Sequence, residues 1–191
     1  MSKIMKKPST TLFPVPTVLV TSHLEGYNPN IITIAWTGIL NSEPPMIYIS
    51  VNPMRHSHKM IKDSGEYVIN IPSVSQVKVV DYCGLISGRE TNKFLETGLT
   101  PIPAFHVKAP LIAECPVNIE CKVKNVIFLG SHDVFISEIL AIHYNEDVLD
   151  SDGQPDLNKI QPYGFCVREY RAVSEKLGSY GYSKKDWRQN N

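Results

Sequence analysis

The sequence predicts a mainly β domain, an antiparallel barrel decorated with a few short helices. Three observations carry this. About seven runs of β-branched and aromatic residues are joined by hairpin-length links rich in Gly, Pro, Asn and Asp. Helical signals are few and short. The helices do not alternate with the strands, as a parallel sheet would require.

The first strand is expected over residues 17–22, closed by the turn Glu25-Gly26-Tyr27-Asn28-Pro29. Residues 31–36 return as its hairpin partner, and 46–51 follow after Glu43-Pro44-Pro45. A further strand covers 66–71. Residues 117–124 alternate apolar and polar, so this strand is expected to bury one face and wet the other. Residues 134–142 are more continuously apolar, as in a strand covered on both sides, and 163–167 form the last strand. Ser57 is expected to N-cap a helix through Ser64, with Gly65 at the C′ position. Ser73 or Ser75 opens a second helix ended by Gly84, and Asn92 a third ended by Gly98. Residues 145–159 are polar and acidic and read as an exposed loop. The tail after Leu177, with Tyr180, Tyr182 and Trp187, lacks helical period and is either disordered or laid on a partner surface. No internal repeat is present. The organisation expected is an extension over 1–9, one domain over 10–170 and a tail over 171–191.

The 191 residues carry nineteen Lys+Arg against nineteen Asp+Glu. That balance excludes a polyanion binder, because nucleic-acid affinity needs a surplus of cations over phosphates. No apolar run approaches the ~20 residues of a membrane span, and the basic start has no apolar core or cleavage site behind it. A soluble cytoplasmic protein is the expectation. The four cysteines, Cys83, Cys115, Cys121 and Cys166, show no zinc-type pairing. Cys115 and Cys121 read as lying on one strand, which makes a disulfide between them geometrically implausible. Four reduced thiols are expected, with a redox-active Cys83 beside Gly84 as the alternative.

Functional residue types are densest in Ser50-Val51-Asn52-Pro53-Met54-Arg55-His56-Ser57-His58. The segment leaves a strand, turns and enters a helix N-terminus, a place where free amides, an Arg fork and a Ser hydroxyl suit a single phosphate monoester. The other reading is an ordinary turn with Arg55 and His56 facing water. His56 and His58 lack a third partner for a metal. The second cluster is Asn30-Ile31-Ile32-Thr33-Ile34-Ala35-Trp36. Strand alternation puts Thr33 and Trp36 on opposite faces, so a bend is needed for both to meet one ligand. Lys93 and His132 are isolated candidates.

Taken together, these clusters resemble the flavin-reductase-like, FMN-binding split-barrel superfamily, and its flavoredoxin-like branch most closely. The matching elements are Pro14-x-Pro16-Thr17-Val18-Leu19-Val20-Thr21, Asn30-x-x-Thr33-x-Ala35-Trp36 and Pro44-Pro45-x-Ile47. They continue through Ser50-Val51-x-Pro53-x-Arg55-His56-Ser57, Gly65-Glu66-Tyr67-Val68-Ile69-Asn70, Ser87-Gly88 with Lys93-Phe94, and His132 to Glu138. The resemblance implies a six-stranded antiparallel split barrel, a homodimer, with FMN bound noncovalently near the subunit boundary. It implies FMN contacts from Asn30, Trp36, Ser57, Lys93 and Phe165, with Thr33, Ala35, Ser50, Val51, Arg55 and His56 also at the site. His132 stands at the family's G-x-H position, the candidate on the nicotinamide side, and Ser137 stands where the family has Gly. Because no G-x-G-x-x-G follows a strand, any NAD(P)H must stack directly on the flavin. Two activities are implied: an NAD(P)H-dependent flavin or ferric reductase, or an electron carrier working with redox protein partners.

Overall fold

The computed structural model describes residues 1–184; Trp187, in the tail expected to be either disordered or laid on a partner surface, lies outside the described residues. The chain opens with β1 (Val15–Pro16), β2 (Val18–Ser22), β3 (Asn30–Ile34), β4 (Thr37–Ser42) and β5 (Pro45–Val51), then helix α1 (His56–Ser64) and β6 (Glu66–Ile71). Helices α2 (Val77–Leu85) and α3 (Lys93–Thr97) precede the short strands β7 (Pro101–Ile102) and β8 (Leu111–Ile112). Two long strands, β9 (Val117–Phe128) and β10 (Asp133–Tyr144), lead to α4 (Leu157–Ile160), β11 (Tyr163–Cys166) and β12 (Glu169–Ala172).

Seven of these strands form one antiparallel sheet in the order β3-β2-β6-β9-β10-β5-β4, where six were expected. The extra strand is β4. The sequence reading placed no strand over 37–42; Gly38 lets the chain lie against the ring of Tyr48 on β5. A separate three-stranded sheet, β1-β11-β12, includes β12, which the sequence reading did not separate from the tail. β12 runs across the expected boundary between the domain, ending at 170, and the tail, beginning at 171.

The barrel interior is filled by Val18, Val20, Ile32, Ile49, Tyr67, Ile69, Ile119 and Phe135. Residues 145–159 are not simply an exposed loop, because Val148 and nearby Ile160 turn inward and cap this core. On the outer face, Leu19 and Ile31 pack with Val80, Cys83 and Phe94 of α2 and α3, a second apolar cluster that fixes both helices against β2 and β3.

Strands β9 and β10 depart from expectation in opposite directions. The first half of the polar face of β9 is dry, with Asn118 and Glu120 buried along with Val117, Ile119 and Cys121, while Lys122 and Lys124 further along are exposed as expected. The segment 103–112 crosses that face. Glu120 accepts from the amides of Phe105 at 2.9 Å, His106 at 2.6 Å and Val107 at 3.1 Å, and Asn70 Oδ1 accepts from the Ile112 amide at 2.9 Å. Conversely β10 is covered on one face only. Burial alternates along it, and Leu140, Ile142 and Tyr144 are exposed where no segment lies over them. Among the described residues no helix is long and apolar enough to cross a membrane.

Candidate functional site

The two ends of the seven-strand order, β3 and β4, are separated in sequence by Ala35 and Trp36 alone. They do not pair. The chain bends at Trp36, whose carbonyl accepts from the Ser50 amide of β5 at 2.9 Å. The barrel is therefore split along this seam, and a cavity of about 300 Å³ occupies it. Thr33, Ala35, Trp36, Ser50, Val51 and His132 all line it. The bend supplies what alternation denied, bringing Thr33 and Trp36 to one space. Trp36 remains 41% exposed, and its ring lies 4.6 Å from that of His132, tilted by 44°.

A second cavity, of about 380 Å³, shares Asn52, Arg55 and Gly84 with the first, and continues the cleft past α1. Here the expected cap is corrected. Arg55, not Ser57, is the N-cap of α1. The Asn52 side chain and carbonyl accept from the amides of Met54 and Arg55 at 2.9 and 3.0 Å, which starts the helix earlier than a Ser cap would. Ser57 is thus inside the first turn and buried, its Oγ accepting from Asn30 Nδ2 at 2.8 Å. No side chain caps the helix and no acidic residue stands in its first turn. The positive end of the helix dipole and the first amides are left facing the cleft.

Lys93 opens α3 and is 2% exposed. Its Nζ donates to the carbonyls of Ile31 and Cys83, each at 2.7 Å. An ammonium has three N–H donors, so one remains for the cavity it lines. Burial, with a contribution from the Arg55 charge, pulls its pKa down to about 8. His56 is also pushed down, first by burial and then by Arg89 and Lys93. Among the described residues Arg55, Arg89 and Lys93 make no ion pair. A buried ammonium held by two carbonyls but by no carboxylate, beside two guanidinium groups without an ion pair among the described residues and an uncapped helix start, fits an anionic ligand.

Several lining residues carried no separate argument in the sequence. Gly84 is helical rather than terminal, α2 running on to Leu85; a Cβ there would meet the Thr33 side chain at 3.2 Å. Gly88 is closer still, a Cβ falling 2.6 Å from Asn30 Cγ. Arg89 and Glu90 follow on the same loop. Phe165 is not brought to the cleft. It sits on β11 with its ring 5.3 Å from that of Tyr170. His58 is buried with its Nε2 2.8 Å from Asp133 Oδ2, which ties α1 to β10. The four cysteines are free, and Cys115 lies in the turn before β9, not on the strand. Burial pushes the Cys83 thiol up to about 11, which removes it as a thiolate nucleophile at neutral pH.

The flavin reductase like domain family model matches residues 10–174. An uncharacterized protein of Archaeoglobus fulgidus is 34% identical over 147 residues, spanning 77% of this chain and 81% of that protein. Flavoredoxin of Desulfovibrio vulgaris (Miyazaki F) has the same fold with a TM-score of 0.90 at 37% identity, covering 96% of this chain and 100% of that one. Flavoredoxin from Methanosarcina acetivorans follows at a TM-score of 0.88 and 27% identity, covering 97% and 100%. With its split barrel and its cationic cleft, the chain belongs to the flavin reductase like domain family, in the flavoredoxin branch.

Proposed function

We propose that this chain binds FMN noncovalently along the cleft and acts as an NAD(P)H-dependent flavin or ferric reductase. The observation that carries the reading is polarity along one cleft. Arg55, Arg89 and Lys93, which make no ion pair among the described residues, stand toward one end, and Trp36 and Val51 wall the other.

Arg55 and the first amides of α1 hold the phosphate. Asn30 and Ser57, already bonded to each other, fix the floor between strand and helix. Lys93 offers its free N–H to the polar rim of the ring or to the ribityl chain, and its charge favours an anionic ring. Trp36, Ala35 and Val51 exclude water and orient the flat ring. The flavin, when bound, supplies the hydride and electron chemistry. His132, half-buried against Trp36, would contact an incoming nicotinamide ring in this reading. The working unit is a homodimer, which would cover the exposed Leu12, Phe13, Ile39 and Leu40.

A second reading, an electron carrier serving redox protein partners, is favoured by the likeness to flavoredoxins. Mixing the flavin-loaded protein anaerobically with NADH or NADPH decides between them. Rapid bleaching of the flavin band supports the reductase. Bleaching only with a reduced protein partner supports the carrier, and a protein that takes up no FMN overturns both.

A further inference from the structure

Strand β10 is paired along its length on the β9 side, but only over Asp133–Glu138 on the β5 side, because β5 begins at Pro45. Residues 139–144 therefore form an open edge, and among the described residues no other strand pairs with it. The Asn145 amide donates to the Pro116 carbonyl at 3.0 Å, which turns residue 145 toward the β9 side. Hydrogen-bonding direction alternates along a strand, so Ile142 and Tyr144 turn their N–H and C=O groups outward. The side chains at this edge are apolar and exposed: Leu140, Ile142 at 46% and Tyr144. On the other face of the strand, the Phe105 ring is stacked on His143 at 5.3 Å and is itself 81% exposed.

Open edges are ordinarily blunted by Lys, Pro, an inward-pointing charge or a covering segment. Residues 139–144, Ile-Leu-Ala-Ile-His-Tyr, hold no Lys, Arg, Asp, Glu or Pro. The bulge between Ile139 and Ala141 limits the edge at one end and the short helical turn Glu146–Val148 at the other. A charged extended partner gains nothing from this uncharged row. A second copy of the same edge does. Antiparallel pairing about a two-fold axis at Ile142 sets Ile142 opposite itself and Tyr144 opposite Leu140, apolar against apolar. The outward N–H and C=O of Ile142 then bond to their own copies. A slip of one residue would instead set Ile142 against Ala141 or His143, whose side chains lie on the other face.

We propose that the 139–144 edge of β10 pairs, antiparallel and about a two-fold axis at Ile142, with the same edge of a second copy of this chain. The contact is separate from the cleft: His132 and Asp133 stand at the other end of the strand, about 30 Å away. None of Leu12, Phe13, Ile39 and Leu40, the residues assigned to the homodimer, belongs to this edge. The pairing does not rest on the flavin reading.

The test is sedimentation of the purified full-length chain at tens of micromolar, as wild type, Ile142→Lys and Tyr144→Lys, with a circular-dichroism melt to show that each variant is folded. Either lysine should halve the particle mass, whether from tetramer to dimer or from dimer to monomer, and leave FMN affinity within twofold. A wild-type monomer, or folded variants that keep the wild-type mass, would overturn the pairing. Cross-linking with copper phenanthroline reads the register and decides the matter should a lysine unfold the barrel. Ile142→Cys, opposite itself, should give a disulfide-linked pair of chains. Tyr144→Cys should not, because its two copies would stand about 13 Å apart. The wild type, with its partly accessible Cys166, is the control. Cross-linking no greater in Ile142→Cys than in Tyr144→Cys or the wild type overturns the proposal. Failure of the wild type to take up FMN would count against the flavin reading and leave the mass and cross-linking results to decide the edge.

Discussion

The side-chain amide of Asn30 donates to Ser57 Oγ at 2.8 Å, so one hydrogen bond joins the first residue of β3 to the first turn of α1. The same amide has Gly88 lying directly against it. Strand, helix and loop therefore meet on one buried side chain, and the cleft takes its shape from that junction.

Gly88→Ala should disturb it. The added methyl overlaps Asn30, which cannot swing away without losing Ser57. Overpacking of this kind costs about 1–3 kcal/mol. Chemical denaturation should show that loss, and flavin affinity should fall about tenfold in the proposed site. Wild-type values in both measurements would mean that the loop yields freely.

Arg55→Ala should weaken FMN by about 1.5–3 kcal/mol, the scale of a charge-assisted hydrogen bond. Flavin fluorescence titration measures it, and the effect should shrink as salt rises, because Arg55 is exposed. An unchanged affinity would move the phosphate away from α1.

Lys93 should govern the pH response. Its folded pKa is lowered to about 8 from an ordinary 10.5. Between those values the unfolded chain keeps the proton that the folded one has released. Stability without ligand should thus rise with pH across that window. Flavin affinity should fall over the same range, as the ammonium loses its charge. Lys93→Met should flatten both profiles; slopes that persist in the variant would assign the titration to another group.

Thiol labelling separates the cysteines. Cys83, Cys115 and Cys121 are fully buried, and burial pushes the last two up to about 12. Cys166 alone is partly accessible. Native protein at pH 8 should release one equivalent of thiol rapidly to an aromatic disulfide reagent and the rest only on denaturation. Fast labelling at Cys83 would reopen a redox role for it.

Dimerisation and flavin retention should be coupled. Sedimentation at falling concentration, read at the flavin band, should show monomer appearing as flavin is released. A monomer that keeps its flavin would show that one chain completes the site.

Both ends of α3 and the C-terminal end of α1 were the most legible parts of the fold, while the start of α1 and the end of α2 were misread. Asn92 N-caps α3 as expected, accepting from the Phe94 and Leu95 amides, and Gly65 and Gly98 close α1 and α3 at φ of 70° and 71°. These are local contacts, readable within a turn of helix. The seam was half legible: residue types marked Thr33 and Trp36, and only the bend explains how they meet. Lys93 was harder to read, because the groups that hold its ammonium are carbonyls of Ile31 and Cys83, on β3 and α2, and a backbone carbonyl leaves no mark in composition. The dry face of β9 was hidden for the same reason. Glu120 looks solvated in sequence and is buried by three amides from a segment with no pattern of its own.

That carboxylate also acts on strand alignment. In β9, Val117, Ile119 and Cys121 face the barrel, while Asn118 and Glu120 face segment 103–112. A slip of one residue against β6 or β10 would send Glu120 into the apolar interior and strip the crossing segment of its anchor. A misaligned barrel is thereby penalised twice, by a charge in the wrong place and by three amides left without an acceptor. Segment 103–112 works as a proofreader of register: it can dock only on a sheet that has been assembled in the correct frame.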